Sequence, residues 1–455
     1  MPTSIDPATG TKLQDYDFFE ADETEMRLAR AHETYEQWRR EPISARAKLL
    51  AALAGVLREQ RESHASLMSD EMGKPITQAR AEIDKCAWLC EHYAEHGEAL
   101  LAPEVVETDA TRSYVSHQPL GVVLAIMPWN FPWWQALRFA VPALLAGNTA
   151  LLKHAPNTTG CAFAIEKALL DAGFPVGCLE AMVVNHETVA ELIAEPRVAG
   201  VTLTGSTRAG RAVGEAAGRS LKKLVLELGG SDPYIVFPDA DVEQAAEICV
   251  RARLHNSGQT CIAAKRFVVV DSVAERFCSL VREHMQAAVL GSPKDEATTI
   301  GPLAREDLRA ALHDQVERSV AAGAQLLFGG ELPAGPGYFY PPTLLSGVRP
   351  GMPAADEELF GPVAAVMRVQ TEDEAIAVAN HTNYGLGAAI FTKDLERGEA
   401  IARERLEAGC CFVNAQVKSD PRLPFGGVKE SGLGRELGRA GILEWVNHKT
   451  VWVEG

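Results

Sequence analysis

The chain has no apolar run long enough to cross a membrane. Its most apolar stretch, residues 121–134, is cut by Pro128, Asn130 and Pro132, whereas a spanning helix needs about 20 predominantly apolar residues. A charged-then-apolar leader is also missing: residues 1–10 are polar and turn-rich, so a cytoplasmic protein is expected. Basic residues are in deficit, with 44 Lys and Arg against 61 Asp and Glu and a formal charge of −17. That balance argues against nucleic acid or an anionic membrane surface as a partner. It still permits a small anionic substrate, because one local arginine dominates within a Debye length of about 8–10 Å. Nine cysteines is an odd number, and they are scattered; a complete disulfide framework is excluded and reduced thiols are expected. Internal repeats, low-complexity linkers and the G-x-G-x-x-G dinucleotide fingerprint are all absent.

What remains is ordinary in composition and ordered in pattern. At 455 residues the chain exceeds one hydrophobic core and implies two or three domains. The first hundred residues read as helices. Ser44 can cap a run with Leu49, Leu50, Leu53, Val56 and Leu57 on helical spacing, and Gly73 with Pro75 supplies a stop. A second helix is expected from Ile76 to about Leu101. Within it Cys86/Cys90 and His92/His96 point along different helix faces without a carboxylate partner, so no metal site is assigned.

From residue 112 the period changes. Apolar, β-branched segments (122–127, 149–153, 179–184, 198–203, 224–228) alternate with helical ones (133–145, 159–172, 187–194, 208–219). Such alternation indicates βαβ units and a parallel sheet, with Gly147, Gly173 and Gly218 placed as helix C-caps. After Gly229-Gly230 a second α/β region starts, with strands expected at 234–237, 267–270, 363–369 and 411–413. A last strand, 450–453, is expected to pair with 114–117 across a subunit boundary.

Four segments carry candidate chemistry. His255-Asn-Ser-Gly-Gln-Thr-Cys261 presents a thiol in a polar loop between a helix and a strand. A thiolate is strongly nucleophilic although only a few per cent of an ordinary thiol ionises at neutral pH; most free cysteines, however, are small buried hydrophobes. Leu226-Glu-Leu-Gly-Gly230 sets a carboxylate in an apolar strand, where burial raises its pKa and suits Glu227 to activate water, unless the position is a solvated edge. In Met127-Pro-Trp-Asn-Phe-Pro132 two prolines stiffen the backbone around Asn130, whose amide can donate to an oxyanion, unless this is a plain strand-to-helix turn. Thr204-Gly-Ser-Thr-Arg-Ala-Gly210 opens a helix after a strand, as a phosphate site does, although many such turns are glycine-rich for packing alone. Lys153 and His154 end another strand of the same sheet, where ligands bind open α/β sheets; taken alone, Lys153 reads as a solvated strand end before a cofactor hook.

Residues 127–132, 226–230 and 256–261, with Glu358-Leu-Phe-Gly-Pro-Val363 and residues 424–436, resemble the motifs of the aldehyde dehydrogenase superfamily, in order and along essentially the whole chain. The resemblance implies an α/β fold: a Rossmann-like cofactor domain (1–111 and 124–228), an α/β catalytic domain (229–435), and a small β bridging or oligomerisation element (112–123 and 436–455). It implies that Cys261 attacks an aldehyde, that Asn130 and the Cys261 amide hold the oxyanion, and that Glu227 activates the water that releases a free acid. Lys153 and Ser206 would hold NAD or NADP, beside Trp129, His154 and Gly205. Glu358 would hold the nicotinamide ribose and Phe360 the ring. A homodimer or homotetramer is implied as well.

Residues 152–157, 228–233 and 261–267 look like the bacterial NAD(P)-dependent succinate-semialdehyde dehydrogenase branch. There Arg138 would grip the substrate carboxylate with a guanidinium fork. Trp134, His255 and Ser419 would line the substrate site, His255 standing where some relatives have a second arginine. Glutarate semialdehyde, or an uncharged aliphatic or aromatic aldehyde, stays open as substrate, and a cofactor-free cysteine esterase is the competing class. Strongly NAD-selective relatives have a glutamate where this chain has Pro156, so NADP is expected to be accepted, with His154 or Arg208 attracting its 2′-phosphate.

Overall fold

A computed structural model describes all 455 residues. Two parallel-rich sheets dominate. The first holds, in spatial order, Gly432–Leu433, Lys223–Glu227, Val198–Thr204, Val122–Met127, Thr149–His154 and Leu179–Ala181. All neighbours are parallel except the Gly432–Leu433 edge. The continuous Val, Leu and Ala runs of these strands are buried on both faces, as a helix-covered parallel sheet requires. The chain runs outward from Val122–Met127 to Leu179–Ala181, then returns to place Val198–Thr204 on the other side of Val122–Met127. This reversal opens a crevice beyond Met127 and Thr204, at the carboxyl ends of the strands, where open α/β sheets bind ligands.

The second sheet orders Gln325–Phe328, Thr343–Ser346, Val363–Val369, Ala264–Val270, Asp232–Val236, Gly387–Phe391 and Cys410–Val413, antiparallel only at the first pair. A third, three-stranded antiparallel sheet joins Glu104–Val105, Arg112–Pro119 and Val446–Val453.

The helix Pro132–Ala146 is buried over its full length because it is apolar all round. It lies between the first sheet and the helices Ile43–Glu59 and Ile76–Leu100. Gly97 allows that approach: a Cβ there would stand 2.0 Å from Leu145 Cδ2. Fully burying side chains such as Phe139 and Leu144 contributes about 1.5–3 kcal/mol each. The same helix follows directly on Asn130 and carries Trp134 and Arg138, so its packing positions part of the site.

Four expectations need correction. Pro42, not Ser44, precedes the helix Ile43–Glu59, whose first turn has no side-chain cap. Residues Thr3–Ile5 and Lys12–Asp15 form a hairpin rather than helix. Gly218 lies inside the helix Thr207–Arg219, while Gly147 (φ 103°) and Gly173 (φ 90°) adopt left-handed conformations at helix ends. The closing strand pairs with Arg112–Pro119 of its own chain, Thr450 opposite Val115, not across a subunit boundary. Trp445, buried at its root, packs edge-on to Phe139 at 5.1 Å and fixes the strand to the core. No helix is long and apolar enough to cross a membrane.

Candidate active site

The thiol loop follows the helix Val242–Leu254. Asn256 (φ 54°, ψ 41°) and Ser257 (φ 55°, ψ 31°) both adopt left-handed conformations, costing about 1–3 kcal/mol each. Buried hydrogen bonds impose them. The Asn256 amide N–H donates to Gln78 Oε1 at 2.7 Å, and Asn256 Nδ2 donates to the Asn130 carbonyl at 2.8 Å. Ser257 Oγ donates to the Gly301 carbonyl at 3.1 Å and accepts from the Gly301 N–H at 3.0 Å. Gln259 Oε1 accepts from the Ala304 N–H at 2.9 Å. Gly258 is required by contact as well as by its φ of 75°: a Cβ would stand 2.3 Å from the Gly361 backbone. The loop is thereby tied to Asn130 on one side and to the 301–304 and 361 turns on the other.

Cys261 emerges where two cavities meet. It lines one of about 220 Å³ and another of about 350 Å³. Burial pushes its thiol up to about 12, against the opposing pull of the Arg138 and Lys265 charges. Its amide N–H has no acceptor within the protein. Asn130 Nδ2 donates one hydrogen to the Gln259 carbonyl at 3.0 Å, which fixes the amide plane and leaves its second N–H uncommitted. These free donors are the elements of an oxyanion site.

Glu227, at the end of its strand, is 2% exposed, and neither carboxylate oxygen has a hydrogen-bond partner. Burial drives its carboxyl well above the ordinary range, with the Arg138 charge only partly opposing this. Glu227 lines neither cavity; it stands back against Gly426, where a Cβ would come within 2.7 Å of its Oε1. Arg138 is in the wall of the smaller cavity, but its Nε is ion-paired with the buried Glu436 and its guanidinium lies 4.8 Å over Phe425. Arg138 thus stands in the cavity wall while its Nε is turned to Glu436.

The larger cavity fills the crevice at the sheet reversal. Trp129, Asn130, Gly205, Ser206, Glu358 and Phe360 all line it. Ser206 caps the helix Thr207–Arg219, accepting from the Ala209 N–H, so the N-terminus of that helix adjoins the cleft. Trp129 and Phe360 meet edge-on at 5.7 Å. Glu358 accepts from the Gly230 N–H at 3.0 Å and pairs with Lys265 at 3.2 Å. Lys153 and His154 lie apart from this cleft, in a small cavity with Pro156, Asn185 and His186. His154 cannot supply positive charge there: its Nε2 meets the Pro132 carbonyl at 2.8 Å, and burial lowers its pKa to about 4. Arg208 lines neither of these cavities.

The smaller cavity holds Trp134, Arg138, His255 and Ser419 together. His255 stacks on Phe131 at 5.7 Å, and burial lowers its pKa to about 4, reinforced by Lys74 and Lys85. It contributes shape and a neutral ring, not charge. Arg422 is excluded from the site by its bidentate bonds to Asp420.

Three lysines escaped the sequence reading. Lys265 Nζ donates to the carbonyls of Thr260 (3.1 Å) and Cys261 (2.5 Å), clamping the backbone at Cys261. Lys74, fully buried, pairs with Glu82 and lies 3.7 Å over the Phe131 ring. Glu82 Oε1 in turn accepts the N–H groups of Trp133 and Trp134 at 2.9 Å, capping the buried helix. Lys85 reaches into the smaller cavity. A lysine inside an apolar strand, as at 265, was the only available signal; the partners of the other two depend on folding.

The aldehyde dehydrogenase family model matches residues 2–451. A probable NADP-dependent succinate-semialdehyde dehydrogenase of Synechocystis sp. is 49% identical over 450 residues, covering 99% of both chains. The NAD(P)-dependent succinate semialdehyde dehydrogenase Sad of Escherichia coli is 47% identical, over 99% of this chain and 97% of its own. The crystal structure of succinic semialdehyde dehydrogenase from Streptococcus pyogenes in complex with NADP superposes with a TM-score of 0.98 at 38% identity, covering 100% of each chain. The chain belongs to the aldehyde dehydrogenase family.

Proposed function

We propose that this chain oxidises succinate semialdehyde to the free acid with NAD or NADP, through a thioester on Cys261. The observation that carries the reading is the position of Cys261, shared by the larger crevice at the sheet reversal and the smaller cavity with a cationic wall. The naming of the Synechocystis and E. coli relatives supports the substrate class.

The crevice suits a dinucleotide: Gly205 adds no bulk, the helix after Ser206 offers amide donors, and Trp129 and Phe360 form an aromatic wall. Ser206, Gly205 and Lys153 would hold its phosphate and adenosine half, and Glu358, Phe360 and Trp129 its nicotinamide half. When bound, the nicotinamide accepts a hydride. With Pro156 in place of an acidic residue, nothing at that position repels a 2′-phosphate, and Lys153 supplies the nearby charge.

The Cys261 thiol gives up its proton to solvent as the sulfur adds to the aldehyde carbon, while the Cys261 N–H and the free Asn130 N–H stabilise the oxyanion. Lys265 keeps the Cys261 carbonyl fixed as this charge develops. After oxidation to the thioester, the Glu227 side chain swings from its recess toward Cys261, takes a proton from water, and directs that water onto the acyl carbon. Cleavage of the C–S bond releases the acid, and the proton held by Glu227 passes to the departing sulfur and regenerates the thiol. Assembly as a homodimer or homotetramer is supported by the unpaired outer edge of the eight-residue strand Val446–Val453, where Trp452 is 46% exposed. The test is a panel of aldehydes assayed with both cofactors: the highest kcat/KM should fall to succinate semialdehyde, and an equal preference for neutral aldehydes would refute the substrate assignment.

A further inference from the structure

The smaller cavity has a second cation besides Arg138, and this one has no counterion. Lys85 projects from the middle of the helix Ile76–Leu100, and no carboxylate lies within 4.0 Å of its ammonium. The Lys85 Nζ donates one hydrogen to Ser419 Oγ at 2.7 Å and lies 3.9 Å from the centroid of the Trp134 ring. Two ammonium hydrogens and the Ser419 hydroxyl hydrogen remain available. The acids nearest to it are spent elsewhere. Glu82 is committed to Lys74 and to the N–H groups of Trp133 and Trp134, and Asp420 is committed to Arg422. A partly desolvated ammonium beside an indole face, hydrogen-bonded to a hydroxyl and unpaired, is a site made for an anion brought in by the substrate.

We infer that Lys85, with Ser419, is a specificity residue that recognises the distal carboxylate of an ω-oxo acid, in the same cavity wall as Arg138. The inference rests on the proposed oxidation of succinate semialdehyde and assigns its carboxylate to a residue outside the motifs. Lys85 stands on a long helix packed into the core, and Ser419 is itself only 7% exposed. Trp134 supplies the floor between them.

The charge state of Lys85 gives a second readout. Burial lowers its pKa to about 8, and the Arg138 charge acts in the same direction. Glu82 and Cys86 on its own helix, and Asp420 on the facing loop, oppose the shift. His255, across the cavity, is neutral above about pH 4, and Lys418 also lines the wall. Carboxylate binding therefore needs the protonated amine, is present below about pH 8, and is lost as pH rises through that value.

The experiment compares wild type, Lys85→Met and Lys85→Arg on succinate semialdehyde and on butanal, its neutral analogue, and measures succinate as an inhibitor from acidic to alkaline pH. Loss of one charge-assisted anion contact should raise KM for succinate semialdehyde and Ki for succinate about 10- to 100-fold in Lys85→Met. Butanal oxidation should stay within about twofold, which also certifies the fold, and Lys85→Arg should recover most of the loss. The weakening of succinate binding above about pH 8 should vanish in Lys85→Met. If wild type prefers succinate semialdehyde and Lys85→Met keeps that preference, the assignment of Lys85 is overturned while the substrate reading stands. If wild type shows no preference over butanal and no inhibition by succinate, the substrate reading fails and Lys85 falls with it.

Discussion

Replacing Asn130 with Ala should cripple hydride transfer while leaving the protein folded. The side chain is 4% exposed, and its Nδ2 spends one hydrogen on the Gln259 carbonyl at 3.0 Å, leaving the other for the oxyanion. Removing one preorganised oxyanion donor costs about 2.7–4 kcal/mol, a loss of about 10²–10³ in the rate of the step. The structural cost is smaller. The Gln259 carbonyl keeps the Asn256 Nδ2 donor at 3.2 Å, and the Asn130 backbone carbonyl still accepts from Asn256 at 2.8 Å, so the stability loss should be about 1 kcal/mol. Stopped-flow absorbance of the reduced cofactor in the first turnover isolates the step, and alkylation of Cys261 checks that the nucleophile remains accessible. Asn130→Asp should fall at least as far, since a carboxylate there neither donates to the oxyanion nor tolerates the Gln259 carbonyl. A first-turnover rate for Asn130→Ala within about threefold of wild type would refute the oxyanion assignment.

In the cofactor-free enzyme the Cys261 thiol, held near 12, should react with iodoacetamide about tenfold faster for each pH unit between about 7 and 9, without a plateau; a plateau in that range, followed by mass spectrometry of the labelled peptide, would place its ionisation much lower. Lys74→Met should destabilise the fold by about 3–5 kcal/mol by leaving Glu82 charged and unpaired. In denaturant titrations the double variant Lys74→Met/Glu82→Gln should recover part of that loss, and equal stability of Lys74→Met and wild type would show the pair to be inconsequential. Light scattering should find a dimer or tetramer at micromolar concentration; a monomer would remove the role given to the Val446–Val453 edge.

The central α/β frame was readable because each strand is a short β-branched run closed by turn residues and each intervening segment keeps helical spacing. Helix ends proved harder. Pro42 rather than Ser44 stands immediately before its helix, since a proline fixes its own φ and has no N–H to leave unpaired. Which chain the closing strand pairs with is decided by contacts far apart in sequence, and no local pattern distinguishes its own chain from a neighbour. Cys261, Asn130 and Glu227 stood out because each sits inside a motif, and folding places the first two in one cavity. The pairing of Arg138 was hidden for the converse reason: its partner Glu436 comes from the other end of the chain, and only folding brings the two together. Lys85 was invisible by the same logic, because a lone lysine on an amphipathic helix looks like a solvated one until Trp134 and Ser419 are placed against it.

The thioester route is tested most directly by trapping it. Glu227→Gln, mixed with succinate semialdehyde and NADP, should release one equivalent of reduced cofactor per active site in a burst and then turn over slowly. Mass spectrometry of the acid-quenched protein should find the succinyl group on the peptide containing Cys261. An unchanged steady-state rate, or a burst with no acyl group on Cys261, would contradict the mechanism.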